Sequence, residues 1–144
     1  MDSLAGETGR RVLLFLTDGS DSGKDYNCAA LVADPHGNIG PCSDRDSTRR
    51  GALRDEFMFY AIGLEHTGLD ASLVSLTNET GGGHFEVKSS DDLSTTFLRV
   101  ADELHHQYVL GFTPVNRDGK THKIDVKLKR AGLTAQARKS YEAK

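Results

Sequence analysis

Apolar residues fall along this chain in two kinds of block. Val12 to Leu16 form an unbroken apolar run that leads into Thr17-Asp18-Gly19, the pattern of a strand buried on both faces, as in a parallel sheet. A second such run, Phe57-Met58-Phe59-Tyr60-Ala61-Ile62-Gly63-Leu64, also ends at a glycine. Between them lie a long polar connection, Ser20 to Ser47, and a short helix from about Ser47 to Asp55, with Asp46 or Ser47 as N-cap and Ala52 and Leu53 facing inward. Strand, helix, strand with a right-handed crossover is therefore the predicted unit. Leu69, Leu73 and Leu76 then recur at helical spacing until Gly81 to Gly83 end the helix, and His84 to Val87 form a short strand. Ser89 with Asp92 opens a further helix, reaching about His106, whose Leu93, Phe97, Val100 and Leu104 mark one face. Tyr108 to Phe112 reads as another strand, closed by Pro114.

Beyond that point the period changes to two. Ile124, Val126 and Leu128 alternate with lysines and Asp125, Gly132 turns the chain, and Leu133, Ala135 and Ala137 alternate with polar residues, which predicts a two-stranded antiparallel ribbon. The expected fold class is α/β: a partial doubly wound, Rossmann-like, mostly parallel sheet followed by that ribbon. Residues 1–113 make the body, with an insertion at about 24–46, and 114–144 the ribbon extension of the same domain. Asp2 to Gly6 reads as the last turn of a helix that has no beginning, a hint that an N-terminal part precedes it.

The chain has 144 residues, enough for one domain with a real core. A net charge of −3 and a pI near 6.0 give no electrostatic reason for a nucleic-acid or anionic-membrane partner. No apolar run approaches the ~18 residues of a membrane span. The opening MDSLAGETGRR lacks the apolar region of a signal peptide. Cys28 and Cys42 share one polar, Gly/Pro-containing stretch, where they would close a short disulfide loop in an oxidising compartment or remain two free thiols.

In an open α/β sheet, ligands sit at the carboxyl ends of the strands, so Asp18, Ser20, Asp21 and Ser22 occupy the place for chemistry. Their oxygens are hard ligands suited to Mg²⁺, Ca²⁺ or Mn²⁺. The same residues also make an Asp-Gly turn in which side chains satisfy backbone donors. The six histidines do not suggest a second centre: His105 and His106 are adjacent on a helix, and His36, His66, His84 and His122 are scattered singly. The sequence contains neither Gly-x-Ser-x-Gly nor Gly-x-x-x-x-Gly-Lys-Ser/Thr, so it offers neither a nucleophile elbow nor a phosphate loop, and no enzymatic activity is expected.

The order LLFLTDG, helix, FMFYAIGL, leucine-spaced helix, ETGGGHF resembles the second half of a von Willebrand factor type A (VWA) domain. The end, QYVLGFTPVNRDGKTHKIDVKLKRAGLTAQARKSYEAK, is similar to the tail of a bacterial VWFA-related subgroup. The resemblance covers nearly the whole chain apart from the cysteine-bearing insertion. It implies a doubly wound sheet of the VWA type carrying a metal-ion-dependent adhesion site, in which one loop gives Asp-x-Ser-x-Ser, a second Thr and a third Asp. Only the third is carried over, onto Asp18 between Thr17 and Gly19. Although Asp18-Gly19-Ser20-Asp21-Ser22 itself spells the first motif, Tyr60-Ala61-Ile62-Gly63 follows after one crossover, which matches the third loop; Ser20 and Ser22 are then weak ligands beside Asp18. The first strand and the Thr loop are expected before residue 1.

The resemblance implies a non-enzymatic protein-binding or adhesion module with an incomplete divalent-cation site, whose full-length relatives are secreted or periplasmic. Its partner would be a protein ligand or a complementary N-terminal half; the alternative is a truncated structural remnant that acts only in assembly with another chain. The Val12 to Leu16 strand, central in a complete domain, here lacks a neighbour on one edge, and an apolar edge without proline or charge predicts self-association.

Overall fold

The computed structural model describes residues 9–18, 45–64 and 68–143. Within them run β1 (Val12–Thr17), α1 (Arg45–Arg54), β2 (Met58–Leu64), α2 (Ala71–Thr80), β3 (His84–Val87), α3 (Ser90–His105), β4 (Thr121–Lys123) and β5 (Ser140–Glu142). The first three strands form a parallel sheet in the order β1-β2-β3, with Val12 opposite Met58 and Thr17 opposite Gly63, then Ala61 opposite His84 and Leu64 opposite Val87. The fold is thus mixed α/β, with a parallel sheet and a small antiparallel one.

Alternation along β2 divides the core. Tyr60 and Ile62 are buried with Val87 and Val100, flanked by Val12, Leu64, Phe85, Leu93 and Leu104, so this face lies under α3. Phe57 and Phe59 are buried with Ala52 of α1 and packed by Leu13 and Leu76, so the opposite face lies under α1 and α2. The unbroken apolar run of β2 is the direct consequence of helices on both faces.

The helix ends follow local chemistry. Asp70 caps α2 by accepting from the Ser72 amide at 2.8 Å. Gly81 ends it in the left-handed conformation at φ 80, its amide donating to the Thr77 carbonyl. Ser89 precedes α3, but its hydroxyl meets the Asp92 carboxylate at 3.2 Å instead of a backbone amide. α1 begins earlier than its expected cap, so Asp46 and Ser47 lie inside the helix.

The sheet is repaired where β3 is too short. β3 reaches only the second half of β2, and the Phe59 amide donates instead to the Thr80 hydroxyl at 3.1 Å, while the Ala61 amide donates to the Gly83 carbonyl at 3.0 Å. The Thr80 hydroxyl itself donates to the Leu76 carbonyl at 2.8 Å. Thr77 and Thr80 are wholly buried, and every buried side-chain N or O among the described residues has a partner. Gly82 runs against the Phe59 backbone, where a β-carbon would collide with its carbonyl.

Three expectations fail for physical reasons. Phe97 is exposed and Thr96 is buried in its place, because the inward row of α3 runs through Leu93, Thr96, Val100 and Leu104, and the Thr96 hydroxyl is satisfied by the Asp92 carbonyl at 2.9 Å. Residues 108–112 form no strand. Their first neighbour, Gln107, is held by Tyr60 and Met58, and Phe112 packs edge-on against Tyr141 with centroids 4.8 Å apart, so the stretch is drawn off the sheet. The ribbon pairs Thr121–Lys123 with Ser140–Glu142, a register consistent with a hairpin folded about Gly132, yet the predicted strands Ile124–Leu128 and Leu133–Arg138 form no ladder. There residues 136–139 are engaged by the helices and the turn after α2 instead: Gln136 donates to the Gly82 carbonyl, the Lys139 amide to the Glu79 carbonyl at 3.1 Å and Arg138 to the Leu53 carbonyl at 2.5 Å.

Thr80→Val keeps volume but orphans the buried Phe59 amide, and is expected to lower stability by about 1–3 kcal/mol in urea unfolding. Gly82→Ala should cost more than about 2 kcal/mol through its backbone clash. Gly51→Ala, in open space on α1, is expected to be neutral or stabilising by up to about 1 kcal/mol.

Candidate functional site

The carboxyl edge of the parallel sheet is where the topology gathers loop ends. β1 delivers Asp18 one residue beyond the Thr17–Gly63 pair, and the Asp18 side chain is exposed. Gly63 leaves room there for Leu69, which a β-carbon would approach to 3.0 Å, so the loop before α2 closes down on the strand end. Asp18 is already engaged in a polar interaction. Ser20, Asp21 and Ser22, with Cys28 and Cys42, lie outside the described residues, as do His36 and His66. Among the described residues no three His, Cys, Asp or Glu side chains gather into a metal-sized group. The structure therefore places one expected ligand at the lip: a hard carboxylate donor of the kind a divalent ion takes.

A second feature was missed by sequence reasoning. Between α1 and the ribbon opens a cleft of about 500 Å³ lined by Ser47, Arg50, Arg54, Thr121, Ser140 and Tyr141, with Glu142 on its wall. Arg50 and Arg54 stand one helical turn apart, a spacing visible in the sequence, but the opposing hydroxyls arrive from β4 and β5, which no local pattern joins to α1. The Arg54 guanidinium is already paired with Asp55, at 2.8 and 3.0 Å, an interaction that raises its pKa. The cleft can bind a polar group through its hydroxyls, but its cations and carboxylates nearly balance.

A smaller cavity of about 370 Å³ sits at the start of β3, bordered by His84, Glu103, Gln136 and Lys139. Beside it, the Tyr60 hydroxyl accepts from Gln107 at 3.3 Å, and burial first, with Glu103 second, raises its pKa above the usual 10.0. Tyr60 therefore stays protonated at neutral pH and serves as a hydrogen-bonding group. Burial likewise lowers the pKa of Arg138.

The ribbon is pinned at its turn. His122 Nε2 donates to Asp118 at 2.9 Å, the Lys120 amide donates to the same oxygen at 3.1 Å, and His122 stacks on Tyr141 at 5.7 Å. The His122 bond is the main cause, with the Lys120 amide next, of an Asp118 pKa below the usual 3.8. Gly119 and Lys120 then tie down the buried Ala143 by backbone bonds at 2.8 and 3.0 Å.

No protein-family model matches this sequence, and no curated protein matches it. Among solved structures it is similar to a crystal structure described as an uncharacterized membrane spanning protein from Vibrio fischeri, at 18% identity over 67% of this chain and 48% of that one, with a TM-score of 0.43. The chain thus spans about half the length of that protein, and likeness at this level says nothing of function. Among the described residues no helix is long and apolar enough to cross a membrane.

Because the native Asp118 pKa is depressed, its contribution is present above the unfolded value and is lost as pH falls through the native one. The Gly119 and Ala143 amides are accordingly expected to lose hydrogen-exchange protection as pH drops below 3.8. In Asp118→Asn they should be less protected at pH 6 and show no such step.

Proposed function

We propose that this chain is the trailing part of a VWA-like, doubly wound domain: a non-enzymatic protein-binding module whose ion site is incomplete. The observation that carries the reading is the position of Asp18. It follows an apolar parallel strand at the carboxyl edge of a sheet covered by helices on both faces, where a ligand of this topology is expected. The Thr17-Asp18-Gly19 and Tyr60-Ala61-Ile62-Gly63 segments supply the resemblance to that family.

Asp18 would be the principal protein ligand, with Ser20 and Ser22 as weak ones. A divalent ion bound there would offer an open position to a carboxylate of the protein partner. One carboxylate leaves such an ion well short of the ~6 oxygens it takes, so affinity is set in the millimolar range or beyond. The chain's own contribution is to hold Asp18 at the lip by the β1–β2 pairing.

A second reading is favoured by one observation: among the described residues the outer edge of β1 has no strand beside it. In that reading the chain is a structural remnant that acts only when another chain completes the sheet, without any metal function. A separately produced VWA-type N-terminal half distinguishes the two: saturable association that restores ion binding supports the module, and association without it the remnant.

Calorimetric titration with Mg²⁺ is expected to give millimolar or undetectable binding, with any measurable heat abolished by Asp18→Ala. Micromolar binding lost in Asp18→Ala would overturn the incomplete site.

A further inference from the structure

Two apolar stretches of this chain lack a sheet partner among the described residues. One is the outer edge of β1, where Leu14, Phe15 and Leu16 are all exposed, Leu16 at 47%. Successive strand residues point to opposite faces, so both faces of this edge are partly bare. The other is residues 108–112. Tyr108, Val109 and Leu110 are 90%, 83% and 71% exposed, again on consecutive positions. A β-prone segment this apolar on both sides has the composition of an interior parallel strand.

We propose that each stretch covers the other between two copies of this chain: residues 108–112 of one copy add as a parallel strand to the β1 edge of the second, and the exchange is reciprocal. The lengths match, five residues against the six of Val12–Thr17. β3's outer edge is the poorer acceptor, because it is four residues long with His84 and Glu86 exposed, and charge on an edge discourages pairing. No charged side chain interrupts Val12–Thr17.

Charge fixes the direction. Arg10 and Arg11 precede β1 and Asp18 follows it, whereas Arg117 follows the donor segment. Parallel addition brings Arg117 toward the Asp18 end; antiparallel addition would set it against the two arginines. Within its own chain the donor is diverted by the Gln107 and Phe112 contacts. Each copy carries one donor and one acceptor, so a two-fold pair uses all of them and leaves no sticky end. The proposal needs no ion at Asp18, but it fills the β1 edge that a complementary N-terminal half would take.

Analytical ultracentrifugation of the wild-type chain should show a monomer–dimer equilibrium without larger species. Leu14→Lys and Leu110→Lys alter residues exposed in the monomer, so both should fold as judged by circular dichroism, while each weakens dimerisation by at least about tenfold. An equimolar mixture of the two variants should regain dimer, because the mixed pair keeps one intact contact that neither variant retains alone. On the wild type, amides of Val109 to Phe112 should gain hydrogen-exchange protection in step with dimer formation, a measurement that needs no variant. A monomer at all concentrations, growing polymers, a dimer indifferent to either substitution, no recovery on mixing, or unprotected 109–112 amides in the dimer would each overturn the proposal.

Discussion

The structure depends on the backbone of β2 finding partners along both edges. β1 supplies one edge for the whole strand. On the other, β3 pairs only from Ala61 onward, and the first half would carry orphaned amides in the core, which a fold of this size cannot tolerate. The Thr80 hydroxyl and the Gly83 carbonyl fill that gap, and both are delivered by the end of α2. The end of that helix is therefore also a piece of the sheet. Its three glycines follow from the same constraint: Gly81 turns the chain with positive φ, Gly82 lies where a side chain would strike Phe59, and Gly83 brings its carbonyl to β2.

That junction positions everything near the lip. With β2 fixed at both edges, β1 is held in register and Asp18 emerges at the carboxyl end of the sheet, beside the loop in which Leu69 packs against Gly63. The proposed binding role uses this geometry and little else. The cleft between α1 and the ribbon is a separate construction, dependent on the C-terminal segment reaching back to Leu53, Glu79 and Gly82.

Elements whose signal is local were legible in the sequence. The runs at Val12 and Phe57 were legible as parallel strands from their unbroken apolar character, although only β2 is buried on both faces while Leu14, Phe15 and Leu16 of β1 are exposed, and the His84 strand and the Gly81 stop were readable from turn chemistry. Phe97 was misplaced because two apolar rows on α3 differ by less than a turn, and only the packing of Thr96 against the sheet side decides between them. Residues 108–112 have the composition of a strand, but composition cannot say whether an edge is within reach. The ribbon was legible as an antiparallel pair turning near Gly132, but its ladder forms between 121–123 and 140–142 instead of between 124–128 and 133–138, where the Gln136 and Arg138 side chains and the Lys139 amide reach back to Gly82, Leu53 and Glu79. Of the candidate site, the place of Asp18 was legible; the hydroxyls facing Arg50 and Arg54 were not, since they come from strands more than sixty residues away in the chain.

The bond from Arg138 to Leu53 joins residues 85 apart, and that from Gln136 to Gly82 joins residues 54 apart. Long loops of this kind close late in folding. While a ribosome is still making the chain, the contacts with Leu53, Glu79 and Gly82 therefore wait until residues 136–139 have emerged. The helices cover the sheet without them, so what that interval leaves open is the outer side of α1 and the end of α2, and not the apolar strands beneath.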